Sequence, residues 1–264
     1  MPTLPPEPPR EIHQHREMAE SFGSGAELYD RARPRYPDAL IQAVVAAAPS
    51  KDFLDVGCGT GITSRQFQAA GCKVLGVDVD ERMAAYARGT GVEVEVSPFE
   101  SWEARGRTFD AVVAGMTWHW IDPALGTAKA AEVLRSGGVL AVFWYVLQPP
   151  PELSEAFAAV YREVLPDSPV SQTSALRAYD AFLDRAADGL TGAFGNVQRL
   201  HFPWSRPYTR DEWLDQIRTG GNAKQLADAG KLDAILDGLG AAIDAVGGSF
   251  TLESTVATLT ATRE

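Results

Sequence analysis

Between residues 52 and 146 the chain alternates short, almost continuously apolar runs with amphipathic ones, and that alternation admits few folds. The apolar runs lie at 52–56, 73–78, 92–96, 109–114 and 139–146. Helical periodicity fills 61–70, 80–88 and 123–135, the last ending in Ser136-Gly137-Gly138. Strands that are apolar on both faces belong to a parallel sheet covered by helices on each side. The pattern therefore predicts an α/β chain with a central parallel sheet.

The flanks read differently. Residues 1–20 open with MPTLPPEPPRE, five prolines and no apolar core, which predicts a flexible polyproline-like tail and no secretory signal. Residues 11–32 look mostly helical and polar, Pro34 and Pro37 interrupt them, and Asp38 is placed to cap a helix over 39–48. Beyond 148, residues 152–164, 173–187 and 231–245 read as helices, 197–204 and 249–259 as strands, and Thr209 as the cap of a helix to about 218. The stretches 148–195 and 205–230 are too long for simple crossovers. With 21–37 they are expected to form lid elements on a single domain spanning 21–264.

A formal net charge of −11 and a pI near 4.9 disfavour tight binding to nucleic acid or to anionic membrane surfaces, which need a basic face. Two cysteines, Cys58 and Cys72, with no histidine cluster beside them, predict a reducing, cytoplasmic setting and no metal site. No apolar run approaches the roughly 20 residues needed to span a bilayer.

The chemistry begins at 53-FLDVGCGTG-61. Gly57, Gly59 and Gly61 follow the first strand, so backbone there comes close to a ligand or adopts positive φ. The dinucleotide fingerprint would place its third glycine at Ile62, one residue off. Asp55 decides more than this spacing. Two unit charges 4 Å apart interact by about 4 kcal/mol at an effective dielectric near 20. Beside a pyrophosphate that energy is repulsive, and beside an ammonium it is attractive. The turn suits a ligand with a cationic amino-acid end, and Asp78 at the end of the second strand suits a ribose diol.

LDVGCGTG, GVDVDERMAAYAR, FDAVVAGMTWHW and AAEVLRSGGVLAVFW together resemble the successive motifs of the class I S-adenosylmethionine-dependent methyltransferases. They are most similar to the methyltransferase domain 11 type, the small-molecule subfamily that includes trans-aconitate methyltransferase. The resemblance covers residues 22–146, and Ser136 stands where the family often has proline. It implies a doubly wound, Rossmann-like, seven-stranded and mostly parallel sheet, its last strand antiparallel, with a helical lid. It implies S-adenosyl-L-methionine as cofactor and S-adenosyl-L-homocysteine as product. Asp55 would accept from the methionine ammonium, with Gly57, Cys58 and Gly59 passing beneath the cofactor. Asp78 would hold the ribose hydroxyls, Val79, Met83 and Phe99 would flank the adenine, and Glu100 would read its edge. Ala114 and Gly115 would line the methionyl chain, and Tyr29 would fold over it.

Methyl transfer is an in-line displacement that needs no covalent enzyme intermediate, so catalytic side chains are few. His119, just beyond the fourth strand, is the candidate base, with cofactor contact or simple backbone bonding as its other roles. Trp118 is a candidate for cation–π contact with the sulfonium, whereas Trp120 reads more readily as core, with a substrate contact as its other role. Among Arg31, Arg33 and Arg35, Arg33 is the candidate clamp for a carboxylate of cofactor or substrate. Tyr145 leads the substrate candidates, followed by Trp204, with Trp144, His201, Arg206 and Trp213 behind. The expected partner is a small molecule, a carboxylic acid or secondary metabolite. A non-catalytic cofactor-binding regulator is the competing reading, and Asp55 disfavours an NAD-dependent dehydrogenase.

Overall fold

A computed structural model describes residues 22–166, 175–190 and 192–264, so the proline-rich tail lies outside the described residues. Seven strands form one sheet: β1 Asp52–Val56, β2 Lys73–Asp78, β3 Glu93–Val96, β4 Phe109–Gly115, β5 Leu134–Gln148, β6 Phe194–Thr209 and β7 Ser249–Arg263. Their order is β3-β2-β1-β4-β5-β7-β6. β1 to β5 pair in parallel, and β7 runs antiparallel to both β5 and β6. The sheet is the mostly parallel, seven-stranded arrangement that the motifs imply.

Successive residues of a strand face opposite sides of the sheet, and here both sides are covered. Leu54, Val56, Val112, Leu140, Val142 and Trp144 pack beneath helices Pro123–Val133 and Ala175–Asp188. Their neighbours Phe53, Ala111, Val113, Val139, Ala141 and Phe143 pack with Leu40, Ile41, Val44 and Phe67 from helices Asp38–Ala47 and Ile62–Ala69. That double burial is why the strands carry no polar alternation.

The boundaries differ from the sequence reading where glycine or sheet-edge geometry intervenes. The helix expected over 123–135 ends at Val133, and β5 begins at Leu134. The Ser136-Gly137-Gly138 turn is absorbed as an irregularity in β5, where Gly137 takes φ +77 and the register with β4 jumps from Phe109↔Leu134 to Ala111↔Val139. β6 runs well past 197–204 at both ends because it pairs with β7 along nearly its whole length, so 205–209 is strand and not lid. Pro203 and Pro207 are tolerated in it because β6 is an edge strand. Asp38 is the first helical residue and Pro37 the N-cap, whose carbonyl accepts from Leu40 N–H at 3.0 Å. Thr209 does cap helix Arg210–Arg218, in a capping box with Glu212.

Beyond β5, parts of 148–195 and 205–230 join the helix over 232–245 in a third core. Leu153, Phe157, Trp213, Ile235, Leu239 and Ile243 pack against Tyr208, Phe250 and Leu252 at the far end of the β6–β7 pair. Trp213 is thus a core residue here and not a ligand contact. Helix Ala26–Ala32 bridges this region to the sheet, touching both helix Glu81–Gly89 and helix Arg210–Arg218.

Candidate functional site

Chain order reverses between β1 and β4, and in doubly wound sheets ligands bind outside the carboxyl ends of the strands at that point. A cavity of about 410 Å³ opens there. The turns after β1, β2, β3 and β4 all contribute to it, and Tyr29 from helix Ala26–Ala32 completes the wall.

The turn after β1 is shaped by its glycines. Gly57 and Gly59 adopt φ +63 and +56, in the left-handed region. The Gly59 N–H donates to Asp78 Oδ2 at 2.7 Å, and Asp78 Oδ1 accepts from the Asp80 N–H at 2.9 Å. The Asp78 carboxylate is thereby held at the cavity wall, and burial pushes it above the ordinary carboxylate range. Asp80 caps helix Glu81–Gly89 by accepting from the Arg82 N–H at 2.9 Å. Its second oxygen accepts from the Gly23 N–H at 3.1 Å, tying the segment before helix Ala26–Ala32 to the β2 turn. A second tie joins that helix to the glycine turn: Arg65 donates to Asp30 at 2.5 Å and to the Thr60 carbonyl at 2.7 Å. Burial would raise the Asp30 carboxyl, but the Arg65 guanidinium outweighs it and holds the group below its usual range.

Of the residues expected in the site, Tyr29, Gly57, Gly59, Asp78, Val79, Met83, Phe99, Glu100 and Trp120 line this cavity. Glu100 also accepts from the Asp122 N–H at 3.1 Å, which fixes the loop after β4 against the loop after β3. The others lie around it. Asp55 stands behind the turn, 1% exposed, accepting from Ser64 Oγ at 2.6 Å. Burial, reinforced by nearby Asp78, raises its carboxyl to about 7 even though the Ser64 bond opposes this. Cys58 turns the other way, into a small cluster with Ala84, Ala87, Val92 and Val94. Ala114 is buried in the sheet core, and a Cβ on Gly115 would fall 2.5 Å from the Tyr36 hydroxyl. Arg33 donates to the Thr219 carbonyl and lies 4.7 Å over the Tyr29 ring.

The two tryptophans exchange their expected places. Trp118 is 4% exposed and packs in the core near Phe99, whereas Trp120 faces the cavity. Both lie on one short 3-10 turn, Trp118–Trp120, whose tight winding sends them in different directions. His119 on that turn does not reach the main cavity. Trp144 Nε1 donates to its Nδ1 at 3.0 Å, its ring stacks on Phe182 at 4.7 Å, and burial lowers its pKa to about 4. On this geometry His119 packs among aromatic side chains and does not line the main cavity. Tyr145 donates to the Pro34 carbonyl at 3.1 Å and stacks on Tyr36 at 4.5 Å, and the Trp204 ring lies 5.5 Å away. These rings buttress the segment before helix Asp38–Ala47 and do not line the main cavity.

Sequence reasoning missed Val56, Val77, Ser97, Pro98, Ser101, Met116, Thr117, Ile121 and Leu125, all of which line it. Met116 carries a signal that only structure reveals, φ +58 on a non-glycine residue. Thr117 Oγ1 lies 3.1 Å from the carbonyls of both Gly57 and Gly115, bridging the turns after β1 and β4.

Residues 54–142 match the profile of a methyltransferase domain. A protein of Anaeromyxobacter dehalogenans described as a candidate type II methyltransferase has a similar structure, with a TM-score of 0.64, 25% identity, and 88% of this chain and 97% of that one covered. Over residues 54–142 the chain is similar to methyltransferase domains. An uncharacterised methyltransferase of Mycobacterium bovis is 34% identical over 139 residues, covering 49% of this chain and 54% of the relative. The chain thus spans about half that relative's length. A malonyl-[acyl-carrier protein] O-methyltransferase of Enterobacter lignolyticus is 29% identical over 202 residues, covering 71% of this chain and 73% of the relative. Among the described residues no acid–histidine–cysteine cluster suits a metal ion, and no helix is long and apolar enough to cross a membrane.

Proposed function

We propose that this protein transfers a methyl group from S-adenosylmethionine to a small molecule, with a carboxylic acid or a secondary metabolite as acceptor. The observation that carries the reading is the turn after β1. Gly59 has nothing within 4 Å of where a Cβ would stand, so it leaves a bare backbone cradle beside the anchored carboxylate of Asp78. In this reading Gly57, Cys58 and Gly59 supply backbone to the amino-acid end, and Asp55 supplies the negative charge behind it. Asp78 takes the ribose hydroxyls. Val79, Met83 and Phe99 flank the adenine, and Glu100 reads its edge. Ala114, Gly115, Trp118 and Arg33 act by shaping and closing the walls, with Tyr29 in direct contact. Tyr145 and Trp204 support the acceptor side.

The bound cofactor would supply an electrophilic methyl on a cationic sulfur. The chain's own contribution is to orient and to exclude water. Among the described residues no histidine lines the cavity, and the acids that do are Asp78 and Glu100, both engaged by backbone N–H groups. Positioning of this kind is worth up to about 7–11 kcal/mol of barrier. The Enterobacter relative is named for O-methylation of a malonyl group on a carrier protein, and that supports a carboxylic acid acceptor here.

Thermal shift tests the cofactor. S-adenosylhomocysteine at 100 times its Kd should stabilise the fold by about 2.7 kcal/mol, raising Tm by roughly 5–10 °C, while NAD should not move it. Turnover to S-adenosylhomocysteine on a panel of carboxylic acids tests the transfer. No shift with S-adenosylhomocysteine refutes the cofactor assignment, and a shift without turnover on any acceptor favours a binding protein.

The Arg65–Asp30 tie gives a second expected result. Asp30→Ala should release helix Ala26–Ala32 from the glycine turn and weaken S-adenosylhomocysteine binding about 13- to 160-fold, the equivalent of about 1.5–3 kcal/mol for a charged hydrogen bond. Calorimetric titration reads it, and an unchanged Kd would show that the helix does not close over the cofactor.

A further inference from the structure

A second cavity, about 270 Å³, shares Tyr29 with the first, and Tyr29 forms a wall of both. Its lining includes Leu28, Arg218, Thr219, Lys224 and Leu232. Among the described residues no aspartate or glutamate lines it. In a chain with 35 acids and 24 basic residues, a pocket with two cations and no acid is a local reversal of charge.

A third cation stands beside it. Arg33 donates to the carbonyl of Thr219, a lining residue, and lies over the ring of Tyr29. Its Nε is buried without an acceptor. Among the described residues no carboxylate lies within ion-pair distance of Arg33. The cations of the lining are only loosely engaged: Arg218 pairs with Asp215 at 2.9 Å and Lys224 with Asp228 at 2.7 Å, each within its own stretch of surface. Exposed pairs of that kind contribute about 0–1 kcal/mol, so exchanging them for a ligand anion costs little. Leu28 and Leu232 give the same pocket an apolar surface.

We infer that this second cavity receives the anionic group of the acceptor, a carboxylate or a phosphate on an apolar body, while the acceptor's reacting end passes Tyr29 into the main cavity. The inference rests on the methyl-transfer reading for the word acceptor, but the anion site itself does not. Arg218 offers a planar donor pair that matches a carboxylate or phosphate, Lys224 adds a mobile point charge, and Arg33 behind Thr219 adds a third positive charge nearby. The apolar body packs on Leu28 and Leu232. Selectivity arises because a neutral analogue gives nothing to the cations of Arg218 and Lys224 in the lining.

Calorimetric titration of the full chain with hexanoate, hexyl phosphate and 1-hexanol, with and without saturating S-adenosylhomocysteine, tests this. At least one of the two anions should bind tenfold or more tightly than the alcohol, and the tighter of the two identifies the group recognised. In the Arg218→Gln/Lys224→Gln double variant that preference should fall to threefold or less, with the S-adenosylhomocysteine Kd within threefold of the unsubstituted protein. Equal binding of all three probes, or a preference that survives the double substitution, overturns the inference. Failure to bind S-adenosylhomocysteine with the anion preference intact would instead remove the methyl-transfer reading and leave the anion site standing.

Discussion

Asp55→Asn should weaken S-adenosylhomocysteine binding at pH 8 by a hundredfold or more and leave the fold intact. The substitution keeps an oxygen to accept from Ser64 Oγ but removes the negative charge that, in the proposed reading, attracts the cofactor's ammonium from behind the turn. A pair of unit charges near 4 Å is worth about 4 kcal/mol at an effective dielectric near 20, more than two factors of ten. The unsubstituted protein should also show a pH dependence that the variant lacks. The Asp55 carboxyl titrates at about 7 because it is buried, and only its ionised form attracts the ligand's amine. Affinity should therefore rise with pH through that value, with binding at pH 5.5 roughly 30-fold weaker than at pH 8. The stability of the free protein runs the opposite way. A carboxyl whose folded pKa lies above its unfolded value favours the folded state in its protonated form. That contribution is complete at low pH and is lost as pH rises from about 4 to about 7, by roughly 4 kcal/mol. The asparagine variant should accordingly unfold no lower than the parent at pH 8 while failing to bind. A flat affinity–pH profile in the unsubstituted protein, or an asparagine variant that binds within tenfold, would remove Asp55 from the site.

How much of this could be read in advance depends on whether a property is local. The strands β1, β2 and β4 were legible because burial on both faces leaves an unbroken apolar run, whatever packs there. The cavity wall at Gly57, Gly59, Asp78 and Val79 was legible because it follows strand ends, where topology places ligands. Tertiary partners were not. The sequence cannot show that Trp144, 25 residues from His119, occupies its Nδ1. A histidine facing a predicted site and one packed among aromatic rings look the same in the sequence. Trp118 and Trp120 are separated by one residue, and only the handedness and tightness of their 3-10 turn decides which enters the core. The stretches around 153 and 213 read as lid because long insertions with amphipathic helices suit one. They prove to bury their apolar faces against Tyr208, Phe250 and Leu252, residues no helix periodicity could nominate as partners. The second cavity was illegible for the same reason, since helix Ala26–Ala32 and residues 218–232 meet only in the fold.

Gly57→Ala and Gly59→Ala should fail in different ways, although both glycines sit in the left-handed region two residues apart. That conformation costs any L side chain about 1–2 kcal/mol, which both variants bear. At Gly57 the new methyl would also stand 2.0 Å from Thr117 Cγ2, and Thr117 cannot easily turn away while its hydroxyl bridges Gly57 and Gly115. Overpacking of this kind adds about 1–3 kcal/mol, so Gly57→Ala should lower Tm by roughly 4–20 °C at 2–4 °C per kcal/mol. Trimming the neighbour, in Gly57→Ala/Thr117→Ala, should recover part of that loss. At Gly59 the methyl meets nothing within 4 Å, because it enters the cavity itself. Gly59→Ala should therefore lower Tm by no more than about 2–8 °C, the strain alone. It should nevertheless lose S-adenosylhomocysteine affinity by a hundredfold or more, since the methyl fills the space a ligand must approach. Scanning calorimetry paired with titration separates the two. If Gly59→Ala bound normally, the cofactor would have to run clear of this turn, and the cradle beside Asp78 would need another occupant.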